Sequence, residues 1–477
     1  MFFSAVGLDI LDSRDALRPT TALDERPPPS VVLPVTTATM KIKVLNRSAA
    51  SSQHQQRNHD PALHPFERAR EYTRALQAAK MERMFAAPFV AQIGVGHQDG
   101  VYCLAKDLEN TDRLASASAD GIIKIWDLST RDETQKAKAH EGLIKGISWI
   151  KTQAGRYLVS CGTDRNITVM DAVSGEVTSG LGDCAFTSIT SHRTTPTAVV
   201  SGSSRIFVYD LGRPTPTVSE TLAWPHSVDT ITAVRLNQVE TSLLGSCGSD
   251  RSLVFYDLRT SSPIHKTVLN FACNDLAWNP QEAFNFAVGS EDYNIYHFDM
   301  RQMSRARNIQ QGHTGAVLSL DFNPTGTELV SGSWDRTIRL FDVRSGQSRD
   351  VYHTKRMARV HAVNFTPDGN YVLSGSDEGN VRLWRAQAAS RQGIKSTAER
   401  QKLEYDATLK ERYKHMPEVR RILRHRHLPK VVKKADQINQ EMLRSIKRKE
   451  ENRRKHSAKK DSKRTAARDK VVLANVE

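Results

Sequence analysis

The chain has 477 residues and a formal net charge of +15, and the positive charge is confined to one end. Residues 386–477 hold 27 Lys and Arg against 12 Asp and Glu, whereas residues 1–385 are neutral overall. This asymmetry indicates a polyanionic partner, most often nucleic acid, although a solvated charged tail would have the same composition. The five cysteines are scattered without a CxxC pair, which is typical of a reducing compartment. No apolar run is long enough to predict a membrane span or a membrane partner.

The first 87 residues are predicted to contain a disordered extension followed by one helix. Residues 1–39 are rich in Pro, Thr and Ser without sustained periodicity, which predicts disorder. Met40 is an alternative start, and we hypothesise that residues 1–39 are an extension upstream of it. Within residues 40–87, the segment at about 65–85 begins with Pro in its first turn and contains no later Gly or Pro, which predicts a helix.

Residues 88–385 repeat one pattern seven times: a strand, a tight turn at an acid, a second strand, and a closing pair of residues. The closing pairs are Trp126-Asp127, Met170-Asp171, Tyr209-Asp210, Tyr256-Asp257, Phe298-Asp299, Phe341-Asp342 and Trp384-Arg385. A period near 40–45 residues with this ending is typical of a β-propeller with four strands per blade. We therefore predict an all-β seven-bladed WD-repeat β-propeller with an N-terminal helix and a basic α-helical C-terminal extension. The strand Phe89–Ile93 is expected to close the ring as the outer strand of the last blade.

Several polar positions recur in these repeats and are similar to those that form a buried hydrogen-bond chain in WD-repeat proteins. They are His97, Ser116, Asp120 and Trp126 in the first repeat, and His313, Ser331 and Asp335 in the sixth. The turn acid is replaced by Glu378 in the seventh repeat and by Ser203 in the third, which we predict to be the weakest blade.

A catalytic Ser-His-Asp triad is the alternative interpretation of these positions. A triad requires one exposed nucleophile in a cleft, whereas the same residues recur here in several blades, which favours a structural role. The sequence contains no Walker A, HExxH or GxSxG motif. We therefore expect no enzymatic activity, no cofactor, no metal and no small-molecule substrate.

After residue 385 the periodicity changes from that of strands to that of helices. A capping box at Ser396 opens a helix to about residue 416, Pro417 opens a second short helix, and a long basic helix is predicted from Lys430 to about Lys460. The candidates for phosphate contact are Arg420, Arg421, Arg424, Arg426, Lys430, Lys433, Lys434, Arg444, Lys447, Arg448 and Lys449. A narrow apolar stripe on the long helix is expected to dock on the propeller or on a partner, and comprises Val431, Ile438, Met442 and Ile446.

Three segments together resemble one family. They are HPFERAREYTRALQAAKMERMFAAPFV at residues 64–90, the seven repeats, and HMPEVRRILRHRHLPKVVKKADQINQEMLRSIKRKEENRRKHS at residues 415–457. Over about residues 40–470 the chain is similar to the WD-repeat Sof-type proteins of the small-subunit processome. The resemblance implies a nucleolar, non-enzymatic component of the U-three small nucleolar ribonucleoprotein that acts in pre-rRNA processing and small ribosomal subunit assembly. Its implied partners are pre-rRNA, the U-three snoRNA particle and other processome proteins.

Relatives in this family are also described as substrate receptors of a cullin–RING ubiquitin ligase, and such receptors often carry a WD-x-Arg box at the ends of blades. Three consecutive repeats end in a similar box, with Tyr or Phe in place of Trp: Asp257 with Arg259, Asp299 with Arg301, and Asp342 with Arg344. Each Arg could instead pair with its own Asp or with a neighbouring blade. The alternative function is therefore a ligase receptor whose boxes bind a cullin-ligase adaptor.

Overall fold

A computed structural model describes residues 60–152, 155–213, 215–225, 229–390, 393–458 and 465–476. The predictions for residues 1–39 and for Met40 lie outside the described residues. The predicted seven-bladed propeller is confirmed: seven antiparallel sheets form a ring in which the inner strand of each sheet contacts the inner strands of its two neighbours.

The strands follow the predicted repeats in chain order. The first three blades are β2–β5 (Val101–Lys106, Arg113–Ser118, Ile122–Asp127, Glu133–Lys138), β6–β9 (Ile144–Lys151, Arg156–Gly162, Asn166–Asp171, Val177–Leu181) and β10–β13 (Ser188–Ser191, Thr197–Ser201, Ile206–Asp210, Thr217–Leu222). The next three are β14–β17 (Ile231–Leu236, Leu243–Gly248, Ser252–Asp257, Ser262–Leu269), β18–β21 (Cys273–Trp278, Asn285–Ser290, Ile295–Asp299, Asn308–Gln310) and β22–β25 (Val317–Phe322, Glu328–Ser333, Ile338–Asp342, Ser348–Tyr352). The last blade contains β26–β28 (Val360–Phe365, Tyr371–Ser376, Val381–Arg385) and β1 (Phe89–Ile93).

The antiparallel order of strands gives the ring two different faces. Every blade places the turn between its second and third strands on one face, which we call the turn face. This turn contains the turn acid in every blade except the third, which has Ser203. The hairpins that follow the first and third strands lie on the opposite face, which we call the hairpin face. The connection from one blade to the next also reaches the turn face, so His313 on such a connection meets Asp335 in a turn.

The predicted closure of the ring by β1 is confirmed. β1 pairs antiparallel with β28, with Ile93 opposite Val381 and Phe89 opposite Trp384. Ile93 is fully buried in a cluster that also contains Trp126, so the closing strand joins the cores of the last and first blades. Burial of this side chain stabilises the closed ring in addition to the backbone hydrogen bonds of the strand pair.

The fourth blade has a fifth strand that the sequence did not predict. β29 (Val472–Val476) pairs antiparallel with β17, with Lys266 opposite Val476. Just before β29, Val471 is 6% exposed and joins the core between blades four and five. The basic C-terminal extension therefore ends as a strand that covers the outer edge of a blade.

The third blade, predicted to be the weakest, retains four strands. Its inner strand β10 is short, and the turn that contains Ser203 is closed by a bond from the backbone N–H of Gly202 to the carbonyl of Arg205. The hydroxyl of Thr187 contacts that of Ser201 at 2.8 Å and donates to the carbonyl of Ile231 in the next blade.

The helices are α1 (Glu67–Met84), α2 (Thr397–Arg412), α3 (Pro417–Arg424) and α4 (Lys430–His456). The Ser396 hydroxyl accepts a hydrogen bond from the backbone N–H of Glu399, as the predicted capping box requires. α2 ends at Arg412, before the predicted residue 416, because Pro417 keeps Met416 in an extended conformation. α1 packs against both α2 and α3.

The small side chains of Ala75 and Ala79 are fully buried on α1, which lets α2 and α3 approach closely. Arg83 at the end of α1 pairs with Asp350 of β25 at 2.8 Å and donates to the carbonyl of Leu423 in α3. The helices before and after the propeller thus form one layer, which is attached to the outer strand of blade six.

Candidate functional site

The polar network in blade six links the turn to the strands behind it. His313 Nδ1 lies 3.0 Å from a carboxylate oxygen of Asp335, and its Nε2 lies 2.7 Å from the hydroxyl of Ser331. Asp335 also accepts the backbone N–H of Thr337 at 2.9 Å. Burial lowers the pKa of His313. Burial opposes ionisation of Asp335, but the bonds from His313 and Thr337 outweigh it and hold the pKa of the Asp335 carboxyl below its usual range.

The corresponding network in blade one is open at the acid. His97 Nε2 lies 2.6 Å from the hydroxyl of Ser116, which also accepts the ring N–H of Trp126 at 2.7 Å. His97 Nδ1 is 3.9 Å from Asp120, which is too long for a hydrogen bond. Burial lowers the pKa of His97 to about 4, so the ring is neutral at neutral pH.

Blade two has a network that sequence reasoning missed. His140 contacts the Asp164 carboxylate at 3.0 Å and the Ser160 hydroxyl at 2.8 Å. The repeat ends in Met170, which has no ring N–H, and the hydroxyl of Thr168 contacts Ser160 in its place. The spacing was available as a signal: 24 residues separate His140 from its acid, against 22 in blade six.

The serines of these networks are buried. Ser116, Ser160 and Ser331 are each 0% exposed, so none is an accessible nucleophile. Each instead satisfies a buried histidine between strands, which stabilises the turn and favours the structural role over a catalytic triad.

The three Asp-x-Arg boxes lie on the hairpin face, and the arginines differ in their partners. Arg301 forms a two-point ion pair with Asp299 at 2.9 and 3.1 Å and lies over the ring of Phe284. Arg259 lies 3.5 Å from Asp257. Arg344 and Asp342 are both exposed, and among the described residues Arg344 has no ion pair. Pairing within the box therefore accounts for two of the three arginines and leaves Arg344 available.

The candidate phosphate-contacting residues lie on α3, on α4 and on the connection between them. Ten of the eleven are exposed, and within the described ranges none of these ten forms an ion pair or a side-chain hydrogen bond; they are Arg420, Arg421, Arg424, Lys430, Lys433, Lys434, Arg444, Lys447, Arg448 and Lys449. α4 has 27 residues and extends over about 40 Å. The helices thus present a long basic surface whose charge is not neutralised by any residue that the structure describes.

Arg426 differs from the other ten candidates. It is partly buried, and its guanidinium donates to the carbonyl of Leu423 at 2.5 Å and to that of Ser348 in β25 at 3.1 Å. Burial and the nearby charge of Arg83 lower the pKa of Arg426 to about 10. This residue attaches the end of α3 to blade six, so its geometry is that of a docking contact within the chain.

The apolar stripe of α4 does not dock on the propeller. Ile438, Met442 and Ile446 are each more than half exposed. At 3.6 residues per turn, Lys433, Arg444 and Lys447 lie on the opposite side of the helix. The helix is therefore amphipathic, with its basic and its apolar sides both accessible.

In the part of the chain that the structure describes, no group of three or more His, Cys, Asp or Glu side chains has the geometry to hold a metal ion. The same residues include no helix long and apolar enough to cross a membrane.

Comparisons with known proteins assign the two main parts of the chain. The Sof1-like domain matches residues 386–472, and the WD domain, G-beta repeat, matches residues 90–127, 305–342 and 348–385. Protein SOF1 of Saccharomyces cerevisiae is 45% identical over 92% of this chain and 95% of the relative, and protein sof1 of Schizosaccharomyces pombe is 50% identical over 88% and 96%. DDB1- and CUL4-associated factor 13 of Xenopus laevis is 42% identical over 92% of this chain and its own full length. The chain therefore belongs to the Sof1 family of WD-repeat proteins.

Proposed function

We propose that this protein is a non-enzymatic scaffold of the small-subunit processome, the U-three snoRNP, and acts in pre-rRNA processing and small ribosomal subunit assembly. In this proposal the propeller binds other processome proteins, while α3 and α4 contact pre-rRNA or the U-three snoRNA, and the protein resides in the nucleolus. The observation that carries the proposal is the set of ten exposed basic residues on and between these two helices, which form no ion pair with the part of the chain that the structure describes. Such residues can neutralise phosphates on any sequence, and release of counterions then drives binding.

The fold supports a scaffold role. The polar residues most similar to a catalytic set are buried and repeat in three blades, where the histidine contacts a strand serine in each and the turn acid in blades two and six. A rigid ring with two faces offers several independent docking surfaces, and the basic helices are attached at its side by Arg83 and Arg426. Contact with RNA and contact with proteins can therefore occur on separate parts of one molecule.

The test is UV crosslinking in cells of the tagged full-length protein, with sequencing of the attached RNA and mapping of the crosslinked peptides. The expected result is pre-rRNA or U-three snoRNA attached to peptides of α3 and α4. Recovery of RNA no higher than from an untagged control would contradict the proposal. Truncation is a poorer test, because removing residues 386–477 uncovers α1, which packs on α2 and α3, and frees the edge of β17.

A second candidate function is a substrate receptor of a cullin–RING ubiquitin ligase. Two observations favour it: six of the similar relatives are named DDB1- and CUL4-associated factor 13, and Arg344 is exposed without an ion pair among the described residues. We expect Arg344→Ala to reduce binding of a purified ligase adaptor without a change in melting temperature. Arg213→Ala is the matched control, because Arg213 is an exposed arginine after the third strand of blade three. If the parent and the Arg344→Ala variant bind the adaptor equally, the Asp342–Arg344 box does not support the receptor function.

A further inference from the structure

The inner strands of the seven blades surround a central channel. At its end on the turn face, aromatic rings and cations from four successive blades form an arc. The guanidinium of Arg359 lies 4.4 Å from the ring centre of Trp334. The rings of His361 and Tyr102 are stacked at 4.4 Å with an angle of 22° between their planes. Lys145 Nζ lies 5.7 Å from the centre of the Tyr102 ring. We call these five residues the aromatic arc.

The strand pattern explains why these side chains meet. Tyr102, Lys145 and His361 are each the second residue of an inner strand, so they lie at the same height in neighbouring blades. The first residue of each of these strands is buried, and the pairing register of each strand shifts between its first and third residues, so the second residue lies at a β-bulge. A bulge breaks the alternation of the strand and can turn a side chain toward the channel. Trp334 precedes the turn acid of blade six and is 48% exposed.

The cations of the two channel mouths differ in their pairing. On the hairpin face, Lys106 pairs with Asp321 at 2.5 Å and Arg235 pairs with Asp275 at 3.2 Å. On the turn face, three basic residues near the arc form no ion pair within the described part of the chain; they are Lys145, Arg336 and Arg359. Two acids lie beside the arc: Asp377 is 3.5 Å from His361, and both Asp377 and Asp99 interact electrostatically with Tyr102. The turn face therefore has positive charge available for a ligand. At the hairpin-face mouth Lys106 and Arg235 are paired with acids, and Arg193 donates to the carbonyl of Gln238.

The turns add basic residues to this face at a backbone position that favours glycine. The residue after the turn acid has a positive φ, and it is glycine in blades one and seven (Gly121 and Gly379). It is an arginine in blades two, four and six, with φ values of 66°, 65° and 65°, at Arg165, Arg251 and Arg336. A left-handed conformation is unfavourable for arginine, so these three turns place a basic side chain on a strained backbone.

We propose that the aromatic arc binds single-stranded RNA. Bases would stack on the free face of Trp334 and on the Tyr102–His361 pair, while Arg336, Arg359 and Lys145 would contact phosphates. Flat exposed rings interleaved with unpaired cations suit a ligand that carries both planar bases and regularly spaced negative charge. An acidic peptide would use the cations but leave the stacked rings without a matching group. The proposal shares its class of ligand with the proposed function but no residue, since no arc residue belongs to α3 or α4. α4 nevertheless begins beside blade six, where His427 stacks on His353 and the charge of Asp436 acts on Arg339.

Single-strand selectivity distinguishes the arc from the basic helices. Bases in a duplex are stacked within it and cannot stack on Trp334, whereas phosphate contacts by α4 do not require free bases. The experiment measures binding of the full-length protein to a fluorescein-labelled oligouridine of about ten nucleotides, within the site sizes of single-strand binders, and to a duplex RNA of the same length. Trp334→Ala and Arg359→Ala are compared with the parent, and both side chains are exposed, so the fold is retained.

The expected result is that Trp334→Ala weakens oligouridine binding by about fivefold or more, the effect of losing one stacked base, and leaves duplex binding unchanged. Phe284→Ala is the matched control, because Phe284 is 47% exposed and lies under Arg301 at 4.9 Å, on the hairpin face. It should bind both RNAs as the parent does.

Parent-like oligouridine binding by both arc variants would overturn the inference. If α4 charge variants still lowered affinity in that case, the proposed function would stand and only the arc would be excluded. The inference would also be overturned if Trp334→Ala weakened binding of a polyglutamate peptide but left oligouridine binding unchanged. That result would identify the arc as a peptide site.

Discussion

The basic side of α4 leads to a prediction about the salt dependence of RNA binding. Arg444, Lys447 and Arg448 are exposed, lack ion pairs within the described residues, and lie within about a third of a turn on the side opposite the apolar stripe. If all three contact phosphates, replacing them by Ala removes three contacts. The slope of log K against log salt should then decrease in magnitude by about 2 for single-stranded and by about 3 for duplex RNA.

This difference in slope is large enough to measure by fluorescence anisotropy with the full-length protein in salt titrations from 50 to 200 mM. Over that fourfold range, the parent should lose about 20- to 40-fold more affinity than the triple variant. A control variant with Lys136, Lys138 and Arg213 replaced by Ala removes the same charge from exposed positions on the propeller and should keep the parent slope. A triple α4 variant with an unchanged slope would refute the assignment of phosphate contact to this helix, because the net charge of the two variants is the same.

Three further predictions concern stability. Asp335→Asn should lower the free energy of unfolding by about 1–3 kcal/mol in urea titrations. The loss should exceed that of Asp120→Asn, because Asp335 is within hydrogen-bond distance of its histidine and Asp120 is not. Ile93→Ala should cost about 2–5 kcal/mol in the same assay because Ile93 is fully buried; an equal cost for Val95→Ala, at a position 92% exposed, would contradict the closing role of β1. Burial lowers the pKa of His297 in the folded protein to about 4, from about 6.5 in the unfolded chain. As the pH falls from 7 to 5, the unfolded chain therefore binds a proton at His297 that the folded protein does not bind, and the free energy of unfolding should decrease. The melting temperature of His297→Gln should depend less steeply on pH over this window, and an unchanged pH dependence would exclude His297 as a contributor.

The three WD networks show how far a sequence pattern determines local structure. The spacing of His313, Ser331 and Asp335 predicted residues that the structure brings within hydrogen-bond distance, because the turn and the strand fix their separation. The same spacing did not reveal that His97 lies 3.9 Å from Asp120. Differences of an ångström depend on how each blade packs on its neighbours, and no local sequence pattern encodes them.

The C-terminal extension shows where sequence reasoning ends. Charge and helical periodicity predicted a basic helix, and α4 is present with its cations exposed. Periodicity could not separate Arg426 from the other candidates, because its burial depends on β25, a strand from a distant part of the chain. β29 was missed for a similar reason: a five-residue apolar segment becomes a strand only where an edge such as β17 is available to pair with it.

The sequence by itself determined the seven-bladed propeller, its closure by β1 and the basic helical extension, because a period of about 43 residues and alternating burial are properties of consecutive residues. Only the tertiary structure decided which cations are neutralised and which are free, and that Arg344 lacks the partner that Arg301 has. It also decided that Trp334, Arg359, His361, Tyr102 and Lys145 form one surface. These residues come from four repeats, and only closure of the ring brings the first two blades next to the last two.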